Sequence, residues 1–203
     1  MSKITIVQRN CRSIPATAEK PPSDKNISII QWNCRGITWK SAELAAAINE
    51  MKQMPTVIML QETFLKPSKT FQFRGYDVVR VDHPSGSGSG VATLIRDGTP
   101  FREEKLSDDP AILSTTVKFE NGESVDFINA YVSPLDNRQE TREVLEKALA
   151  RSGIFLAGDL NAHSSLFGHK STNCRGRLIE DLMADHNLVT LNDGSSTHKT
   201  AGE

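Results

Sequence analysis

The sequence predicts an α+β protein in which helices cover sheets. Short apolar runs rich in Ile and Val outnumber the stretches with helical periodicity. An Asn-Gly dipeptide joins two of those runs, which makes them an antiparallel hairpin. The amphipathic stretches lie between the runs and form no separate helical block.

The elements follow in order. Ile27–Gln31 is a short apolar strand, and Ser41–Met54 is a helix with Leu44, Ala47, Ile48 and Met51 on one stripe, stopped by Pro55. Thr56–Leu60 reads as a buried strand that runs into Gln61-Glu62. Tyr76–Val81 and Val91–Arg96 are strands separated by a Ser- and Gly-rich loop, and that loop lacks the glycine order of a phosphate cradle. Ile112–Phe119 and Ser124–Val132 flank Asn121-Gly122, which suits the positive φ angles of a type I′ turn. Asp136 is placed to cap a helix running to Ser152, with Gln139 three residues on and Gly153 beyond its end. Ile154–Ala157 is another buried strand. Leu178, Ile179, Leu182 and Met183 mark a helix over 174–186, and Leu188–Leu191 is the last strand expected.

Ahead of these elements, Ile4–Ile14 matches Ile27–Ile37 at seven of eleven positions, with a Pro-containing stretch between the copies. Two copies do not build a solenoid. The reading is an N-terminal extension over 1–26 carrying a duplicated first strand, followed by one domain over 27–203, because only the second copy leads into a helix. Removal of residues 1–25 is expected to leave the fold intact.

Composition excludes some classes. The 203 residues suffice for one well-filled domain, and no run is apolar enough to serve as a secretion signal or membrane span. Three cysteines without CxxC spacing suggest neither a disulfide framework nor a zinc ribbon, so an intracellular setting, nuclear or cytoplasmic, is expected. His163, His169, Cys174 and His186 fit no common finger spacing. A net charge of −1 gives no molecule-wide attraction to nucleic acid, which would need a local patch.

The chemistry lies at strand ends. Asn33, Glu62, Asp159 and Asn161 each follow a short apolar run, and Tyr131 lies near the end of another. If those ends share one rim, the side chains meet in one cleft, a common place for ligands. Carboxylate and amide oxygens without thiolates or an imidazole cluster suit Mg²⁺ or Mn²⁺. A further carboxylate would act as base toward a water, and amide and phenol groups would hold phosphate oxygens. That set fits metal-assisted hydrolysis of a phosphate ester.

Gln31-Trp-Asn33, Leu60-Gln-Glu-Thr63, Ala130-Tyr131 with Pro134, and Ala157-Gly-Asp-Leu-Asn-Ala-His163 occur in the order found in the endonuclease/exonuclease/phosphatase superfamily. The chain resembles the branch found in non-LTR retrotransposon polyproteins. Gly90-Val91, Asn173-Cys-Arg-Gly-Arg-Leu178 and Asn187 to Gly194 extend the likeness over about residues 27–200. The resemblance implies a four-layer α/β/β/α sandwich with its site on one edge. It implies that Asn33 and Glu62 hold the metal, that Tyr131 contacts phosphate, and that Asp159 orients or deprotonates the attacking water. Asn161 would partner the phosphate and Asp159. The implied substrate is DNA, nicked by a monomer. Arg35, Arg175 and Thr197 are candidates for contact with it, although dispersed basic residues are as readily solvated surface.

The family closes its site with a later Asp and a Ser-Asp-His word, and the sequence ends at Glu203 ahead of both. The expectation is therefore a fold short of its last strands, with an exposed sheet edge open to association, and a weakened site. Two other readings remain open: a remnant that binds metal or nucleic acid without turnover, and a phosphatase or exonuclease of the same superfamily.

Overall fold

The computed structural model describes residues 27–84, 88–107, 111–119 and 122–192. The duplicated segment 4–14, Asn121 and Thr197 lie outside the described residues.

Among the described residues eight strands and three α-helices form the fold: β1 Ile29–Asn33, α1 Ile37–Glu50, β2 Val57–Gln61, β3 Tyr76–Val81, β4 Val91–Arg96, β5 Phe101–Ser107, β6 Ala111–Lys118, β7 Ser124–Tyr131, α2 Arg138–Leu149, β8 Ile154–Asp159 and α3 Cys174–Asp185. One sheet has the order β1-β2-β4-β3 and the other β5-β6-β7-β8. In the first sheet β1 and β2 are parallel, and in the second β7 and β8 are parallel. Each sheet therefore brings the carboxyl ends of two strands to the same edge.

Side chains alternate between the two faces of a strand, and that alternation sorts the residues into layers. Ile30 and Trp32 of β1 and Ile58 and Leu60 of β2 point outward, where Ile37, Leu44 and Ile48 of α1 cover them. Ile128 and Ala130 of β7 and Ile154 and Leu156 of β8 point to the opposite outer face. Leu145 and Leu149 of α2 and Ile179 and Leu182 of α3 cover that side. Val57, Met59, Val81 and Val91 of the first sheet meet Leu113, Phe127 and Ala157 of the second across the middle. The result is the expected helix–sheet–sheet–helix sandwich.

Several boundaries differ from the sequence reading. β1 runs two residues later, to Asn33. α1 starts four residues early, at Ile37, because Gly36 takes φ +103° and turns the chain straight from the strand into the helix. Asn137, not Asp136, caps α2 by accepting from Gln139 N at 2.9 Å. Asp136 instead accepts from Ser133 N at 2.6 Å. β5 was not anticipated; its Arg102, Glu103, Glu104 and Lys105 mark a charged strand at the edge of its sheet. The strand expected over Leu188–Leu191 does not form. Asn187 turns left-handed at φ 52° and Leu188 N bonds to Met183 O at 2.8 Å, so this segment closes α3.

Candidate active site at the rim between the sheets

Alternation decides which strand-end residues meet. Asn33 shares the inner face of β1 with Gln31, Tyr131 shares that of β7 with Asn129, and Asp159 shares that of β8 with Ala157. Tyr131 is the register partner of Asp159. Glu62 follows β2 directly, beside Asn33 in the parallel pair.

The amide nitrogen of Asn33 donates to Glu62 Oε1 and to Asp159 Oδ2, both at 2.7 Å. It thereby joins a carboxylate of one sheet to a carboxylate of the other. The Oδ1 atom of Asn33 is buried and has no hydrogen-bond partner. A lone buried amide oxygen beside two carboxylates is an unsatisfied acceptor, and it suits a hydrated hard cation. Asn33 and Glu62 thus fit the metal role by chemistry. Among the described residues no group of three or more His, Cys, Asp or Glu comes together to hold a metal.

Asp159 is buried, and its Oδ1 accepts from Asn161 N at 3.1 Å. Asn161 takes φ 48° and donates its side-chain amide to Val132 O at 3.0 Å, which leaves its Oδ1 as the free end of the group. Asn173 braces the same loop, with Nδ2 3.4 Å from Asn161 O and Oδ1 accepting from His163 N and Gly176 N. Tyr131 is 7% exposed. Burial, and after it the charges of Glu62, Asp159 and Asp136, raise its phenol above the ordinary value, so it remains a hydrogen-bond donor.

Backbone strain concentrates here. Five described residues other than glycine have positive φ, and Arg35, Glu62 and Asn161 among them belong to the site. Such conformations cost on the order of 1–3 kcal/mol each and persist where the surroundings over-determine them. The surroundings do so: Cys34 N bonds to Gln61 O, Gly36 N to Glu62 O and Ile37 N to Thr63 O, which stitches the loop after β1 to the loop after β2. Cys34, buried beneath, donates its thiol to Gln61 O at 3.2 Å, and burial pushes that thiol up to about 12.

The glycines of the sequence words are explained by close approach. A Cβ on Gly158 would lie 1.9 Å from Ala130 O, one on Gly176 1.8 Å from His163 O, and one on Gly90 2.8 Å from Thr63 Oγ1. The first two contacts are with backbone that cannot yield.

Of the remaining candidates, Arg35 reaches the site, with Nε 3.8 Å from Glu62 Oε2 and a side chain 55% exposed. Arg175 is buried at the start of α3. Sequence reasoning missed the amides beneath the rim. Gln31 Nε2 donates to Gln61 Oε1 at 2.5 Å, and Gln61 Nε2 donates to Asn129 Oδ1 at 2.7 Å. Asn129 Nδ2 donates in turn to Ala92 O at 2.9 Å. This ladder crosses from sheet to sheet one step below Asn33, Glu62 and Tyr131. The available signal was a polar residue one or two positions before a site residue in an otherwise apolar strand.

A family model described as endonuclease-reverse transcriptase matches residues 125–203. The probable RNA-directed DNA polymerase from transposon X-element of Drosophila melanogaster is 25% identical over 186 residues, covering 87% of this chain and 20% of that protein. The chain thus spans about a fifth of the length of the curated relative it matches. Among solved structures, the endonuclease domain of TRAS1, a telomere-specific non-LTR retrotransposon, superposes with a TM-score of 0.67 at 19% identity, covering 83% of this chain and 76% of that one. An AP endonuclease from Archaeoglobus fulgidus gives a TM-score of 0.55 at 21% identity, covering 78% and 70%. A 3'-5' exonuclease from Neisseria meningitidis gives 0.53 at 20%, covering 77% and 70%. In sequence the chain is similar to that transposon polymerase over most of its length, and it shares its fold with the TRAS1 endonuclease domain and the AP endonuclease.

Proposed function

We propose that this chain carries a metal-dependent phosphodiesterase site that nicks DNA, as the endonuclease domain of a non-LTR retrotransposon. The observation that carries this reading is the Asn33 amide, which bridges Glu62 and Asp159 and leaves its own oxygen unpartnered. Residues 27–203 form the catalytic domain, residues 1–26 are an extension to it, and the domain acts as a monomer inside the cell, where its DNA substrate is. No helix among the described residues is long and apolar enough to cross a membrane.

Glu62 and Asn33 Oδ1 would hold Mg²⁺ or Mn²⁺, which supplies neutralisation of phosphate charge when bound. Asp159, with both oxygens fixed by N–H donors, accepts a proton from water. The water oxygen bonds to phosphorus as the opposite P–O bond breaks, and the departing oxygen takes a proton from solvent. Asn161 and the protonated Tyr131 hold the non-bridging oxygens. Arg35, half-exposed, brings its Nε to 3.8 Å from Glu62 Oε2. Among the described residues Glu62 and Asp159 are the carboxylates that Asn33 joins, and such a pair also suits a second reading, in which the site binds metal or nucleic acid without turnover.

A plasmid-nicking assay decides between them. Relaxation of supercoiled DNA in Mg²⁺, absent with EDTA and reduced at least about 10²-fold in Asp159→Ala, is the expected result. Equal relaxation by wild type and Asp159→Ala would remove the catalytic reading, and no relaxation with retained DNA binding would establish the second.

A further inference from the structure

A second feature lies one step from Asp159. Beside Asn161 opens a groove of about 560 Å³ whose walls are the starts of two helices, with Asp136, Asn137 and Arg138 at the start of α2 and Asn173, Cys174 and Arg175 at the start of α3. Each helix is 12 residues long, and each directs the positive end of its dipole into the groove. Helix ends alone would mean little. Arg175 supplies the independent observation.

Arg175 is 7% exposed, and its Nε is buried without a hydrogen-bond partner. Its Nη2 donates to the backbone oxygen of Asp136 at 3.3 Å, a neutral acceptor. Asp136 is the acid that acts on it electrostatically, and that carboxylate already accepts from Ser133 N at 2.6 Å. A guanidinium held out of water without a bidentate anion is costly, and an Arg fork matches a phosphate in geometry and charge. Arg138, exposed at the start of α2, adds a second cation on the same rim.

We propose that this groove is an anion subsite which takes a backbone phosphate of the DNA strand whose neighbouring phosphate lies at Asp159. The assignment rests on the nuclease reading given above. Asn161 joins the two places, since it lines the groove and also donates its backbone N–H to Asp159. Beyond it, a second groove between α2 and α3 is lined by Arg138, Arg142, Arg177 and Asp181, and of these Arg142 is engaged by Glu146 and Asp185. A net charge of −1 is then no obstacle to DNA binding, because the attraction is local.

The test uses the full chain in divalent-free buffer, so that binding is read without cleavage. Affinity for a short duplex is measured by fluorescence anisotropy against salt for wild type, Arg175→Gln and Arg138→Ala. Arg138 is exposed, so its variant remains informative if Arg175→Gln fails to fold. Each variant is expected to bind several-fold to about tenfold more weakly, with the slope of log K against log salt reduced by about 0.9. Backbone amide NMR signals of Asn137, Arg138 and Cys174 should shift with duplex. Wild-type slopes in both variants, or in Arg138→Ala alone if Arg175→Gln is unfolded, would overturn the subsite. Amide shifts with inorganic phosphate but none with duplex would assign the groove to a free anion and overturn the strand assignment. Reduced slopes together with absent nicking would leave the subsite standing and remove the catalytic reading.

Discussion

Tyr131 tests the electrostatics of the site at the scale of one side chain. Burial and the nearby carboxylates Glu62 and Asp159 raise its phenol above the ordinary value, so the neutral form is favoured wherever the protein is folded. If the hydroxyl holds a phosphate oxygen, Tyr131→Phe should lower nicking by about 10²-fold, the usual loss for one positioned donor. The ratio of wild-type to variant rates should stay level from about pH 6 to about pH 10, the ordinary phenol value. A ratio that falls toward one on approaching pH 9 would show that Tyr131 ionises there. At this scale the sequence was largely readable. Asn33, Glu62, Tyr131, Asp159 and Asn161 each stand out as polar groups where an apolar run ends. Gln31, Gln61 and Asn129 did not stand out, because a polar residue alternating with apolar ones looks the same whether the far face meets water or a second sheet. Arg175 and Arg177 sit two apart on one helix. Nothing local says that the first is buried and the second exposed.

Among the elements, the glutamine–asparagine ladder and the β7–β8 contact fix how the strands meet. Asn129→Leu would leave Gln61 Nε2 without the Asn129 oxygen, and Ala92 O without its donor, at the centre of the sandwich. Gln61 Nε2 keeps Met59 O at 3.2 Å, so the cost is that of the hydrogen bonds lost, about 0.5–1.5 kcal/mol each. The urea midpoint should therefore fall, and kcat should drop more than KM rises, because the ladder sets Glu62 against Asp159 without touching DNA. An unchanged kcat in a folded variant would remove that positioning role. Gly158→Ala should be far worse, on the order of 3 kcal/mol or more, since its Cβ would enter Ala130 O. A native-like thermal melt by circular dichroism would contradict the close approach. The helices and central strands were legible from apolar spacing, with their ends displaced by a few residues. β5 was not, because Arg102 to Lys105 carry the charges that keep an edge strand from pairing elsewhere, and those charges hide the strand pattern.

The whole molecule is two sheets that each contribute half a site. Asn33 and Glu62 come from the first, and Tyr131, Asp159 and Asn161 from the second. A cation held by Glu62 and Asn33 in the native state alone would stabilise it by mass action. At a hundredfold excess over its dissociation constant the gain is about 2.7 kcal/mol. Added Mg²⁺ should thus raise Tm of the wild-type chain by about 5–11 °C, and leave Glu62→Gln unmoved. Equal shifts in both would place the ion elsewhere.

Among the described residues the chain passes from one sheet to the other once, through the exposed turn at Asp97-Gly98 after β4. Strands β1 to β4 before that turn build one wall of the cleft and β5 to β8 after it build the other. Severed there, the polypeptide would yield two fragments, each with an incomplete ligand set and a bare apolar face. Recovered activity on mixing would then be a direct reporter of their docking, in the manner of a split enzyme.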